Sequence, residues 1–155
     1  MSPDLQTMLA EYRAGLEAEL ALLRQLDALS ARHAAAVDSG DVAALRSVHD
    51  ARDGVMRSLV SVEHDMVSLR ADLAANRAQL APLREFQSVV SLHNEAAAMV
   101  NRIIASDKQS MAALEQAEIA RRSAATAMEK GETTLQAYRR VITPSVNSTL
   151  VNRRG

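Results

Sequence analysis

Residues 41–83 read DVAALRSVHDARDGVMRSLVSVEHDMVSLRADLAANRAQLAPL, and their spacing decides the fold. Steps alternating between three and four connect Leu45, Val48, Arg52, Val55, Leu59, Val62, Met66, Leu69, Leu73, Asn76, Leu80 and Leu83. Ten of these twelve positions are apolar. A 3.5-residue period kept this long specifies a helix that packs knobs-into-holes against its neighbours. Arg52 and Asn76 interrupt the seam, and polar residues there set register or partner number at some cost in stability. Gly54 costs about 1 kcal/mol against alanine in a helix interior, and is expected to let the preceding helix come close.

Upstream, a second stripe runs through Leu5, Leu9, Tyr12, Leu16, Leu20, Leu23, Leu26 and Leu29 in steps of three or four. Ser2 suits the cap of that helix, Pro3 its first position and Asp4 the positive end of its dipole. Gly40 fits the left-handed cap that ends it, and Asp41 caps the next helix at once. So short a connection forces an antiparallel hairpin.

Downstream, Pro82 lacks a backbone N–H, so the second helix breaks near residues 79–83. A turn there lets a third antiparallel helix cover the hairpin; a kinked continuous rod is the alternative. The third helix is expected from 84 to 130, with Phe86, Val90, Ala97, Val100, Ile104, Met111 and Leu114 as its seam. Over residues 117–127 the stripe weakens to alanines, and Gly131 ends or interrupts the helix. The expected fold is all-α: an elongated antiparallel hairpin or three-helix bundle with coiled-coil packing and a flexible C-terminal tail. Its helices span about 3–38, 42–80 and 84–130 within a unit of residues 1–131.

Composition agrees. Alanine, leucine and arginine dominate, with five Gly, three Pro and three aromatic residues among 155. Period-two runs of β-branched residues are missing from most of the chain. Net charge is −1, which supplies no field toward nucleic acid or an anionic membrane. There is no cysteine, the start Met1-Ser2-Pro3-Asp4 lacks the layout of a secretory signal, and no apolar run approaches a bilayer-spanning length. The protein is expected to be cytoplasmic, without membrane insertion.

No catalytic constellation is legible. The residues three before His33, His49, His64 and His93 are Ser30, Arg46, Ser61 and Val90, so the Glu-x-x-His pair of helical metal sites is missing. His49 and Asp53 share a helical face, which reads as a surface hydrogen bond. Phosphate loops and nucleophile elbows are missing too. No enzyme activity, metal or cofactor is expected. Met56, Met66, Met99, Met111 and Met128 fall at or near seam positions and read as core filling, although methionine-lined grooves suit adaptable partners.

Residues 132–155 differ in character. Leu135, Tyr138, Val141, Ile142, Val146 and Leu150 are apolar, Arg139, Arg140, Arg153 and Arg154 are basic, and acids are missing after Glu132. Thr143-Pro144 is expected to stop a short amphipathic turn. The segment reads as one that orders on a partner, its apolar residues as anchors and its arginines biasing orientation.

Gly40-Asp41-Val42-Ala43-Ala44-Leu45 leading into Asp50-Ala51-Arg52-Asp53 resembles the hairpin of FlgN-type flagellar type III export chaperones. Asn94, then Asn101-Arg102-Ile103-Ile104, then Leu114 are similar to that family's third helix. Tyr138 and an ending Leu150-Val151-Asn152-Arg153-Arg154 are similar to its C-terminal segment. The likeness covers residues 5–154 as pattern and a few polar positions. Arg139-Arg140-Val141 departs from it, since a glycine often follows the family's tyrosine. The resemblance implies a cytoplasmic chaperone that holds the helical termini of flagellar hook-associated junction proteins against its own C-terminal helix and delivers them to the export gate, with Tyr138 at the gate contact. A self-assembling structural coiled coil or bundle adaptor is the alternative.

Overall fold

The computed structural model describes the backbone of residues 3–152 and the side chains of residues 4–137. Ser2 therefore lies outside the described residues. The chain forms α1 (Pro3–Ser39), α2 (Val42–Ala75), the short α3 (Arg77–Leu80) and α4 (Arg84–Asn152), with no strand among the described residues. It divides into two units, Met1–Ala113 and Leu114–Gly155, and α4 contributes to both.

In the first unit the hairpin forms as its caps dictate. Gly40 adopts φ 67°, and the Asp41 carboxylate accepts from the Ala44 N–H at 3.0 Å. All eight stripe positions of α1 are buried. All twelve seam positions of residues 45–83 are buried or half-buried. Arg70 donates to the Tyr12 hydroxyl and Arg52 to the Ser30 hydroxyl, each at 3.2 Å, so α1 and α2 run antiparallel.

Two expectations about this hairpin need correcting. The close approach is at Gly15: a Cβ there would lie 2.6 Å from the Met66 sulfur, whereas at Gly54 it would meet open space. Asn76 is not a seam residue in a continuing helix. It ends α2, its N–H bonding to the carbonyls of Leu73 and Ala74 and its side chain to that of Asp72. An asparagine that competes for nearby carbonyls terminates a helix readily. The chain then turns through α3 and Pro82, with the buried Leu80 under the turn.

The N-terminal part of α4 returns parallel to α1, with Arg24 bonded to Glu95 and Arg102 to Asp27 at 3.2 and 2.7 Å. These exposed pairs stabilise little. The partly buried bond is tighter: Arg52 donates to both oxygens of Asp107 at 2.8 and 2.6 Å, and Ser30 donates to the same carboxylate. The Arg52 guanidinium holds the Asp107 carboxyl below the usual carboxylate range. Arg52 thus fixes register by joining α1, α2 and α4. Beside it His33 is buried with its ring edge-on to His49 at 5.2 Å, and its Nδ1 has no partner. Burial, then the neighbouring His49 and Arg52, keeps the His33 imidazole below its ordinary value.

Phe86 packs half-buried against the core as expected, but from Val90 to Met111 the seam of α4 differs from expectation by one residue. Val89, Ala96, Ile103 and Ser110 are buried against the hairpin, with Leu92 and Met99 half-buried beside them. Val90, Ala97, Val100, Ile104 and Met111 face solvent instead.

In the second unit α4 is described from Leu114 onward. Glu118 accepts from Arg121 and Arg122, which hold its carboxyl down to about 2. Every side chain of residues 121–137 is exposed, as the alanine-weakened stripe implies. Gly131 and Pro144 both fall inside the helix, so neither ends it. A lone glycine costs only about 1 kcal/mol and a proline removes one helical hydrogen bond, and strong helix formers flank the glycine.

Candidate functional site

The displaced stripe of α4 is half of a groove. Across from it, α2 carries a second apolar row one residue beyond its core seam, with Val60 at 66% and Val67 at 55% exposure and Met56 also exposed. Between the rows lies an open hollow of about 760 Å³. One wall is Leu59, Val60, Glu63, His64, Val67 and Arg70 of α2; the other is His93, Ala96, Ala97 and Val100 of α4. Glu19 and Leu23 of α1 reach into it from below. Past Arg70 and His93 it continues into a second hollow of about 340 Å³ bounded by Tyr12, Ala74, Phe86 and Val90. From Leu59 to Ala74 the α2 wall is about 22 Å long at about 1.5 Å per residue. That is the span of a helix of about 15 residues, not of a small molecule.

Small side chains keep the rims low. Ser61, Ser68 and Ala71 stand exposed on α2, and Asn94, Ala97 and Asn101 on α4. A helix laid there would place its apolar positions between two heptad rows, as a fourth member of the bundle.

The groove has a charged centre. Arg70 makes a two-pronged pair with Glu63, one bond at 3.0 Å, and also bonds to Tyr12, over whose ring it sits at 5.9 Å. Glu63 is consequently held down to about 2 by Arg70, assisted by a hydrogen bond from Glu19. Burial first, then the hydrogen bond to Glu63 and its negative charge, push the Glu19 carboxyl up to about 7. Glu19 therefore takes up a proton as pH falls through about 7, and in that form it can donate to Glu63.

No known protein family, curated protein or solved structure matches the chain. Among the described residues, no group of three or more His, Asp or Glu is placed to hold a metal ion. No described helix is long and apolar enough to cross a membrane.

Of the partner residues expected from sequence, Leu135 is 58% exposed on α4. Tyr138, Val141, Ile142, Val146 and Leu150 lie on the same helix, with side chains outside the described residues. Sequence reading missed the groove itself. Met66 and Met99 do fill the core, but Met56 and Met111 are exposed on the second rows and Met128 on the second unit. The available signal was the second apolar row of α2, namely Met56, Val60 and Val67.

The Glu19 proton gives stability a definite pH slope. An unfolded glutamate titrates at its ordinary 4.5 and the folded one at about 7, so this contribution is complete below 4.5 and lost as pH rises through 7. Glu63 acts oppositely, losing its contribution as pH falls from 4.5 toward 2. Glu19→Gln, which cannot ionise yet still donates to Glu63, should flatten the fall in Tm between about pH 5 and about pH 8. Equal slopes in thermal melts of wild type and variant would place the proton elsewhere.

Proposed function

We propose that this chain is a helix-binding chaperone, and that it takes the amphipathic helical terminus of a client protein into the groove between α2 and α4. The observation that carries this reading is the pair of exposed apolar heptad rows facing each other across an unfilled fourth-helix position. Helix-in-groove recognition needs such rows, because the client's own apolar stripe must leave water to bind. The resemblance to FlgN-type export chaperones makes the reading concrete. On it, the clients are flagellar hook-associated junction proteins, the setting is the cytoplasm and Tyr138 contacts the export gate. With the client's stripe assigned to the groove, Leu135, Val141, Ile142, Val146 and Leu150, read from sequence as client anchors, are reassigned to that second contact.

Co-purification of the full chain with terminal segments of junction proteins tests both parts. Val60→Glu combined with Val100→Glu should weaken client binding about 30-fold, equivalent to about 2 kcal/mol, with little change in helicity since both positions face solvent. Tyr138→Asp with Ile142→Asp should leave client capture in place and reduce association with the gate. Unchanged client binding in the groove variant would remove the groove from the reading. Self-assembly has a specific observation in its favour too, because a second copy of the chain offers the same apolar rows. A stable dimer in sedimentation, unaltered by deleting residues 132–155 and broken by the groove substitutions, would replace chaperoning with assembly.

A further inference from the structure

We propose that the helix seated in the α2–α4 groove carries one lysine or arginine in the middle of its apolar face, where the Glu19 carboxylate receives it. The inference rests on the docking reading above and adds the chemistry of the partner.

The charges at the groove centre do not balance. Glu19 and Glu63 bring two carboxylates, while Arg70 brings one guanidinium that is already shared between Glu63 and the Tyr12 hydroxyl. The remaining titratable groups lining the hollow are imidazoles, His64 from α2 and His93 from α4. The imbalance favours protonation of Glu19: burial and the Glu63 carboxylate push its carboxyl up to about 7. A proton in that position occupies the place of a missing cation.

Docking a helix changes the energetics at this point. Covering the groove removes water from Glu19, and an unpaired carboxylate in a drier site is strongly disfavoured. A wholly apolar helix must therefore trap the proton. A helix with a central cation displaces it and gains a desolvated ion pair in return. The rows on either side, Val60 and Val67 against Val90 and Val100, take the flanking apolar residues. Discrimination then comes from the difference between the two helices, not from raw affinity for apolar surface. The sign of the pH effect follows. Binding of the cationic helix releases the Glu19 proton and strengthens as pH rises through 7. Binding of the apolar helix strengthens as pH falls.

Two synthetic 21-residue amphipathic peptides test this against the full chain. They are identical leucine-seamed helices except for lysine or leucine at the central seam position. By calorimetry at about pH 8 the lysine peptide should bind at least about tenfold tighter, and the ratio should shrink at about pH 6. Near pH 6.5, repeating the titration in buffers of different ionisation enthalpy should show net proton release with the lysine peptide alone. Glu19→Gln should bring the ratio of the two affinities close to one. A ratio near one in the wild type at pH 8, binding without proton release, or a lysine preference that survives Glu19→Gln would each overturn the charge assignment while leaving docking intact. Failure of both peptides to bind, or a dimer that excludes them, would overturn the docking reading and this inference with it.

Discussion

Leu16→Ala should lower the free energy of unfolding by about 3 kcal/mol, the largest effect expected of a conservative truncation here. Leu16 is 1% exposed and packs in a cluster with Leu9, Tyr12, Met66, Leu73, Leu80 and Val89, drawn from both arms of the hairpin, the connector and α4. Removing three carbons leaves a cavity, and the penalty depends on how far the walls can close over it. Here they have little freedom. At the adjacent Gly15, α1 is already so near Met66 that even a Cβ would clash. For a chain of this size the loss corresponds to a fall in Tm of about 10 °C. Circular dichroism melts measure it, and a loss below about 1 kcal/mol would mean that this end of the core is looser than described.

The second large effect is at the Arg52–Asp107 pair. Asp107→Leu should destabilise by about 2 kcal/mol, since it strands a guanidinium whose side chain is 19% exposed. Arg52→Met should also destabilise, leaving the Asp107 carboxylate with only the Ser30 hydroxyl. The double variant should recover most of the loss, because replacing a partly buried ion pair by apolar groups of similar volume is often neutral. A double-mutant cycle by urea denaturation reads the coupling, and strictly additive losses would show that the pair contributes nothing as a pair. The double variant tests register as well. If Arg52 and Asp107 position α4, removing them should leave stability but broaden the amide resonances of the residues around Ile103.

The turn and the core seams of the hairpin were legible in the sequence, but the end of α2 at Asn76 and the close approach at Gly15 were not. On α1 and α2 the core positions recur every three or four residues over the whole helix, and the second row of α2, Met56, Val60 and Val67, is too short to compete with them, so the core stripe is unambiguous. On α4 it is not. The buried row Val89, Ala96, Ile103, Ser110 is shadowed one position later by Val90, Ala97, Ile104, Met111. Valine sits beside valine, alanine beside alanine, isoleucine beside isoleucine, and at the fourth step the exposed row is the more apolar. Periodicity cannot choose between two such rows. Long-range contacts choose, above all the partly buried pair of Asp107 with Arg52, and such a pair is not visible as a local pattern. The groove centre was hidden for the same reason. Glu19 and Glu63 are far apart in sequence and meet only when the hairpin closes, whereas the apolar-basic C-terminal segment draws attention by composition alone.

The exposed stretch of α4 has a mechanical consequence. Up to Ser110 this helix is held by side chains buried against the hairpin, so bending or unwinding it there means tearing apolar surface out of the core. Over residues 121–137 no side chain is buried, and only backbone propensity, a few tenths of a kcal/mol per residue, resists deformation. One continuous helix therefore has a stiff end and a compliant end. Whatever grips residues 121–137 can reshape them for little work.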